Sequence, residues 1–403
     1  MNVRRDGEVS SRAESVRPFA VMDLVARAKE LEAGGRDIVR LEIGDPDFPT
    51  PDAVRIAAEA ALEDGETGYT QSAGLPLLRE AVSAHQRRMY GVDVDPEDIV
   101  VTQGTSPAML LVFGALLDPG DEVIIPDPGY PAYPAYASFL GAVPVPVRLR
   151  ACDGFRMRAD DVEALITSRT RAIVVNSPAN PTGAVLETGD LAALGALAQK
   201  TGVWLVSDEI YHGLAFGEPA GSVLEHTKRA FVLNGFSKAF AMTGWRLGYV
   251  IAPRAFVRAI ERLQQNFFLC ANHFVQVAGA AALTLAHGDV ARMRDVYDER
   301  RRFLVPALRG LGLGIACEPR GAFYVFADAT AWDGDSLRLS GRLLEEAGVA
   351  VAPGIDFGSG GEGFLRFSYA TGLDRLREGV DRLRIWAKEG RAGAWTSVGP
   401  VRD

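Results

Sequence analysis

Residues 172–183 read Ala-Ile-Val-Val-Asn-Ser-Pro-Ala-Asn-Pro-Thr-Gly. A short apolar run, rich in β-branched residues, stops at an asparagine and enters a turn set by two prolines and a glycine. Such a run is too short for a helix and apolar on both faces, so it reads as a strand buried on both sides. Similar runs lie at 99–102, 122–126, 203–207 and 230–234, and most alternate with longer helical patterns such as 107–117 and 188–200. Continuous apolar strands alternating with helices imply an α/β fold, with a mostly parallel sheet flanked by helices. A further strand is expected at 246–252, after Gly244.

Working outward, Pro18–Leu31 has helical apolar spacing, stopped by Gly34 and Gly35, and 38–43 reads as a short strand. Thr50 is expected to cap a helix that has Pro51 at its first position and runs to about Asp64, and another helix is expected at 75–89. After about residue 290 the texture changes. A long charged helix (287–309) leads to Gly-Ala-Phe-Tyr-Val-Phe, a helix at 336–347, the strand-like Gly-Phe-Leu-Arg-Phe-Ser-Tyr and a last helix at 373–388. The expected division is an N-terminal extension (1–17), a large domain (46–290), a smaller α+β domain (291–390) joined by residues 18–45, and a tail (391–403).

Composition bounds the function. The 403 residues are 48% hydrophobic and 24% charged, enough for a large core and a smaller second one. A net charge of −9 gives no electrostatic reason to coat nucleic acid or an anionic membrane. No apolar run approaches the ~18 residues of a membrane span, and the N-terminus has no secretory apolar region. Cys152, Cys270 and Cys317 are too scattered for a disulfide framework, and the five histidines show no metal-site spacing. No metal is expected, and the cytoplasm is the expected compartment. No Gly-x-Gly-x-x-Gly follows the first strand of the sheet region, which argues against a dinucleotide enzyme.

In a parallel sheet, ligands bind beyond the carboxyl ends of the strands. The residues just after the strands therefore carry the functional reading. Gly104, Thr105 and Ser106 stand where a helix begins and can hold a phosphate with their N–H groups, and Arg246 can add a charge-assisted contact. The plain alternatives are an ordinary helix cap and a surface ion pair. Tyr130 offers a ring face for stacking, or is a turn aromatic. Asp208 ends the run Val-Trp-Leu-Val-Ser and needs a cationic or hydrogen-bonding partner, which a protonated pyridine nitrogen or a neighbouring Arg would supply. Tyr211 and Asn180 could reach a ring hydroxyl. Only five of the 43 basic residues are lysine, and Lys238 alone follows a Gly/Ser turn and precedes the apolar Ala-Phe-Ala-Met. Desolvation there would suit it to Schiff-base formation. Alone it would read as a surface lysine; four other polar strand ends argue otherwise.

These strings together resemble the fold-type I pyridoxal-phosphate-dependent aminotransferases of the class I/II, aspartate-aminotransferase-like group. The resemblance runs from about 18 to 388. It is carried by Leu-Glu-Ile-Gly-Asp-Pro-Asp-Phe-Pro-Thr-Pro (41–51), Gly-Tyr-Thr-Gln-Ser-Ala-Gly (68–74), Asp-Pro-Gly-Tyr (127–130), Asn-Ser-Pro-Ala-Asn-Pro-Thr-Gly (176–183), Ser-Asp-Glu-Ile-Tyr (207–211), Gly-Phe-Ser-Lys-Ala-Phe-Ala-Met-Thr-Gly-Trp-Arg (235–246) and Phe-Leu-Arg-Phe-Ser-Tyr-Ala (364–370). It implies pyridoxal 5'-phosphate as cofactor and amino-group transfer between an amino acid and a 2-oxo acid. It implies that Lys238 binds the cofactor covalently and shuttles a proton, that Asp208 pairs with the ring nitrogen, and that Tyr211 and Asn180 bond the ring oxygen. Tyr130 would stack on the ring, while Gly104, Thr105, Ser106, Ser237 and Arg246 would hold the phosphate. Arg366 would grip the substrate carboxylate, helped by the backbone of Gly44, with Asn180 beside it. Tyr69 would reach the other subunit's cofactor, so a homodimer is implied. One departure stands out: Gly235 replaces the serine that many relatives have three residues before the lysine.

Two other functions compete. A lyase or cyclopropane-forming synthase would use the same Lys238 and Asp208. A cofactor-sensing regulator would need a DNA-binding module, yet only 17 residues precede the first helix of the resemblance. Residues 264–273 (Gln-Gln-Asn-Phe-Phe-Leu-Cys-Ala-Asn-His) are expected to line the side-chain pocket. They offer no arginine for a second carboxylate, so neutral, aromatic or aliphatic substrates are expected rather than aspartate.

Overall fold

The structure is a computed structural model that describes residues 9–391. Residues 1–8 of the expected extension and almost all of the tail lie outside the described residues. The helices are α1 (Ser11–Glu14), α2 (Ala20–Ala33), α3 (Asp52–Glu63), α4 (Pro76–Tyr90), α5 (Thr105–Leu116), α6 (Ala132–Phe139), α7 (Ala159–Glu163), α8 (Thr188–Thr201), α9 (Arg254–Phe267), α10 (His273–Leu285), α11 (His287–Arg309), α12 (Ser336–Arg342) and α13 (Leu373–Trp386). The strands are β1 (Val39–Arg40), β2 (Ile99–Thr102), β3 (Glu122–Asp127), β4 (Val143–Arg148), β5 (Thr170–Asn176), β6 (Trp204–Asp208), β7 (Ala230–Gly235), β8 (Gly248–Ile251), β9 (Tyr324–Asp328), β10 (Val349–Ala350), β11 (Ala352–Pro353) and β12 (Phe364–Ser368).

Seven strands form one sheet in the order β2-β8-β7-β6-β5-β3-β4. Neighbours from β7 to β4 pair in parallel, whereas β8 is antiparallel to both β2 and β7. Successive strand residues feed opposite faces, as the pleat requires. Ile173 and Val175 join the core shared with α8 and α10, while Ala172 and Val174 join the core under α5 and α9. Both faces are therefore apolar, which is why the strands read as continuous runs. The register sets Asn176 opposite Asp208 and Asp208 opposite Leu233, so the ends of β5 and β6 are level and β7 runs two residues beyond them.

β4 was not anticipated. Its Val-Pro-Val-Pro-Val-Arg pattern carries two prolines that cannot donate to a ladder, which is tolerated because β4 is an edge strand. Thr50 does not cap the next helix. Its hydroxyl donates to Ala241 O (2.9 Å) and accepts from Trp245 Nε1 (2.9 Å), tying this turn to the chain just beyond Lys238, and Pro51 takes the cap position. The helices expected at 336–347 and 373–388 end as α-helix at Arg342 and Trp386 and continue as wider turns.

The C-terminal part builds an antiparallel sheet, β11-β12-β9. β1 pairs with β10, and Leu24, Ala28 and Leu31 of α2 pack with Ile38, Leu344 and Ala350. The N-terminal segment thus packs on the C-terminal part. Asp127, at the end of β3, accepts the Gly360 N–H (2.7 Å) and the Ser359 hydroxyl (2.8 Å), joining the large sheet to this part. No single helix among the described residues is long and apolar enough to cross a membrane.

One close approach fixes the β2/β8 end of the sheet. A Cβ on Gly248 would lie 2.7 Å from Gly104 C and 3.0 Å from Thr105 N, both backbone atoms that cannot step aside. Gly248→Ala should therefore cost about 1–3 kcal/mol, read as a lowered denaturant midpoint at unchanged m-value.

Candidate active site

The carboxyl ends of β5, β6 and β7 open into a cavity of about 510 Å³ between the large sheet, α2 and the β9–β12 region. It gathers Gly44, Thr105, Ser106, Tyr130, Asn180, Asp208, Tyr211, Ser237, Lys238, Arg246 and Arg366, residues that lie up to 322 positions apart in sequence. Gly104 does not line it but precedes Thr105, and a Cβ there would meet Arg246 Nη2 at 2.7 Å. Tyr69 is outside the cavity, 85% exposed.

Asp208 ends β6 and is buried. Its Oδ2 accepts the Tyr133 hydroxyl (2.7 Å) and its Oδ1 the Ile210 N–H (3.2 Å). Burial raises its pKa, and the Tyr133 and Ile210 hydrogen bonds work against that rise. Tyr133 also sits edge-to-face with Tyr130 (centroids 5.4 Å apart). Asn176 Nδ2 donates to Asp208 O (2.9 Å), while Asn176 Oδ1 accepts the Asn180 N–H (2.9 Å), so the β5 turn is braced against β6.

Lys238 lies just past β7. Its Nζ donates to Gly44 O (2.6 Å), and no carboxylate lies within ion-pair range among the described residues. Burial lowers its pKa to about 8, so far more of the amine is neutral near pH 7 than for a lysine in water, though the ammonium still predominates. Gly44 is obligatory: a Cβ there would fall 1.7 Å from the Tyr324 hydroxyl. That hydroxyl hydrogen-bonds Tyr211 Oη (2.8 Å), and burial holds the Tyr211 pKa well above its ordinary value.

Arg366, on β12, is buried. Its guanidinium lies 4.4 Å from the Tyr324 ring centroid and 4.8 Å from that of Phe357. Nη1 donates to Asn180 Oδ1 (2.9 Å) and Nη2 to Glu42 O, while Nε has no partner among the described residues. A buried guanidinium with a free N–H and no carboxylate partner is suited to an incoming anion. Arg246 takes the left-handed region (φ 55°), an uncommon conformation for a non-glycine residue and one found at strained functional turns. There its side chain reaches the start of α5, and Nη1 donates to Thr243 O (2.8 Å).

Together these groups fit a flat phosphorylated pyridine carbonyl. The start of α5 with Arg246 suits the phosphate, Asp208 the ring nitrogen, Tyr130 the ring face and Lys238 the carbonyl carbon. The departure at Gly235 has a packing cause: a Cβ there would meet Leu247 O at 2.9 Å and Gly248 Cα at 3.1 Å.

Two expectations change. Residues 264–273 do not line the cavity. They end α9 near residue 70, where Thr70 N–H meets Cys270 Sγ (3.3 Å) and Gln103 Nε2 donates to Phe268 O and Cys270 O. The side-chain compartment is instead bounded by Phe19, Val21 and Met22 of the N-terminal segment, with Ile43 and Phe357. Tyr133 and Tyr324 were not anticipated. Tyr133 follows Tyr130 by three residues at the start of a helix, a spacing that could have flagged it. No local signal marks Tyr324. Among the described residues no His, Cys, Asp or Glu side chains group as metal ligands.

A family model for class I and II aminotransferases matches residues 36–383. The aspartate/prephenate aminotransferase of Thermus thermophilus is 42% identical over 382 residues, covering 93% of this chain and 97% of its own length. The valine–pyruvate aminotransferase of Mycobacterium tuberculosis is 39% identical, covering 92% and 96%. A solved structure of aspartate aminotransferase from Thermus thermophilus with maleate superposes with a TM-score of 0.91 at 40% identity, covering 94% of this chain and 99% of its own.

The buried amine makes a stability prediction. Because burial lowers the Lys238 pKa, the folded state binds fewer protons than the unfolded one between pH 8 and 10.5, and the charged amine costs stability below that window. Lys238→Met should therefore raise the melting temperature of the cofactor-free protein at pH 7. The gain should shrink as pH rises from 8 toward 10.5; a gain independent of pH would show that the ammonium is not the cause.

Proposed function

The chain belongs to the class I and II aminotransferase family, and from that premise we propose how its own residues divide the work of transamination and which substrates they admit. The enzyme is a pyridoxal-phosphate-dependent transaminase acting on an amino acid and a 2-oxo acid, and the elimination alternative is not favoured. When bound, the cofactor withdraws electrons from the substrate Cα and so makes its proton acidic.

In our reading, Lys238 holds the cofactor covalently and moves the proton at the substrate Cα. Its depressed pKa suits both tasks. Asp208, kept available as a carboxylate by Tyr133 and Ile210 N–H, meets the ring nitrogen. Tyr211 and Asn180 bond the ring oxygen, and Tyr130 covers the ring. Gly104, Thr105, Ser106, Ser237 and Arg246 take the phosphate. Arg366 takes the substrate α-carboxylate with Asn180 beside it, next to the Gly44 backbone. Residues 46–290 form the cofactor domain in this proposal, and 18–45 with 291–390 the domain that closes the substrate side. The exposure of Tyr69, outside its own cavity, supports the homodimer in which it reaches the other subunit's cofactor. A cytoplasmic location accords with the three free thiols.

One observation carries the substrate proposal. Lys238, Arg246 and Arg366 all have assigned tasks, and among the described residues no fourth Lys or Arg lines the cavity. Besides Asp208, the other charged groups there are Glu42, Asp45 and Asp356. Asp356 also accepts the Ala20 and Val21 N–H groups (2.9 and 2.7 Å), which fixes a carboxylate beside the apolar wall of α2. A second substrate carboxylate would meet like charge and apolar surface. We therefore read the donor as a neutral, aromatic or aliphatic amino acid.

The decisive experiment adds single amino acids, without oxo acid, to the holoenzyme and follows the absorption of the bound cofactor. Conversion to its amino form by neutral amino acids, with a kcat/KM at least about tenfold above aspartate (a difference of ~1.4 kcal/mol), is expected; aspartate leading the series would overturn the substrate proposal. Lys238→Ala should abolish conversion. Arg366→Ala should lower kcat/KM on the order of 10²–10³-fold, chiefly through KM, and an unchanged KM would remove Arg366 from the site.

A further inference from the structure

A second cavity, of about 330 Å³, lies on the reverse side of the turn that carries Lys238. Asn234, Gly235, Ala239 and Phe240 of that turn form one wall. The segment 212–220, the end of α4, the end of α10 and the first turns of α11 form most of the rest. Its volume is at the small end of the ~300–1,000 Å³ usual for ligand pockets.

The charged lining is of one sign. Arg88 and Arg294 face the cavity with His85, His212 and His287, and among the described residues no Asp or Glu lines it. In a chain of net charge −9 such a concentration needs a reason. Arg294 is engaged by Asp295 (2.7 Å). Arg88 is different: among the described residues it has no carboxylate partner, a property it shares with Arg246 and Arg366. Its Nη2 donates to His85 Nδ1 (3.1 Å) and to Leu283 O (3.0 Å), which orients the guanidinium and leaves Nε and Nη1 without protein acceptors.

The histidines supply polarity rather than charge. Accepting from Arg88 at Nδ1 places the His85 proton on Nε2, and burial with the Arg88 charge pushes its pKa down to about 4. His212 is buried between the Tyr90 hydroxyl on Nδ1 (2.7 Å) and Ser177 O on Nε2 (3.0 Å), and burial lowers it to about 3. The remaining walls, including Met89, Leu283, Val290 and Ala291, are apolar.

We propose that this cavity is a second ligand site, which takes a small organic monocarboxylate: its carboxylate on Arg88 and its apolar body against α10 and α11. A phosphate fits less well, because a dianion calls for several donors converging on it, and a single uncommitted guanidinium among apolar walls offers too few. The site is independent of the active-site assignments, although it backs onto the turn bearing Lys238.

The test is calorimetric titration of the holoenzyme with 3-phenylpropionate, in the wild type and in Arg88→Gln, Ala291→Trp and Arg366→Ala. Arg366→Ala should retain a binding site. Arg88→Gln should weaken that site about tenfold or more, as expected for loss of a charge-assisted contact. Ala291→Trp, which fills the cavity without changing its charge, should weaken it as well. Both variants should keep their turnover with amino and oxo acid in the absence of the probe, showing that they are folded. Binding that disappears in Arg366→Ala and is untouched in Arg88→Gln would place the probe in the active site alone and overturn the proposal. No binding to any form at millimolar probe would overturn it too, and would leave the transaminase reading standing.

Discussion

The site depends first on a carboxylate buried at the end of a parallel strand. Asp208 is held out of water by β5, β6 and β7, where a charged group is costly unless partners meet it. The protein supplies neutral donors, Tyr133 Oη and Ile210 N–H, and among the described residues no Lys or Arg within ion-pair distance. Such a group holds its charge best when a cation arrives from outside. The same constraint selects the neighbours. Asn176, level with Asp208 in the ladder, braces its backbone and also turns the chain toward Asn180. Tyr133 links the carboxylate to the stacking face of Tyr130. A single desolvated group thus explains why polar residues gather at one edge of an otherwise apolar sheet.

A second constraint is steric. Gly235 and Gly248 lie where β7, β8 and the start of α5 come too close for any Cβ, and Gly104 has a φ of 104° that favours glycine. That closeness lets Arg246, in its left-handed conformation, bring its guanidinium over the first turn of α5. Glycine at 235 is therefore a condition of this geometry, and the missing serine hydroxyl follows from packing. Gly44 repeats the logic on the substrate side, because only hydrogen fits beneath the Tyr324 hydroxyl.

Much of this was legible in the chain before folding was considered. A strand covered on both faces needs apolar residues at every position, so β2, β3, β5, β6 and β7 announced themselves, and the polar residues after them marked the site. What local pattern could not show was long-range. β4 was hidden by Pro144 and Pro146, which are excluded from a central strand and acceptable at an edge. Thr50 looked like a cap because the local signal was right, but a tertiary partner, Ala241 O, took its hydroxyl. Tyr324 lies 113 residues from Tyr211, and nothing in either neighbourhood foretells their hydrogen bond. Residues 264–273 lie away from their own subunit's cavity for the same reason: their place beside residue 70 is set by contacts such as Thr70 N–H to Cys270 Sγ.

That last correction strengthens the argument about substrate while moving it elsewhere in the molecule. The wall facing the substrate side chain comes from α2 and from the turn holding Asp356 and Phe357, elements that also join the N- and C-terminal parts. Asp356 caps α2 through two backbone N–H groups, so its carboxylate is structurally committed and half-desolvated. A substrate carboxylate placed nearby would compete for the same helix terminus and be repelled by the group already there. In the substrate proposal, selectivity against dicarboxylates would be built into the contact that anchors the N-terminal helix. Altering it would require changing how α2 is held, beyond a single residue of the cavity wall.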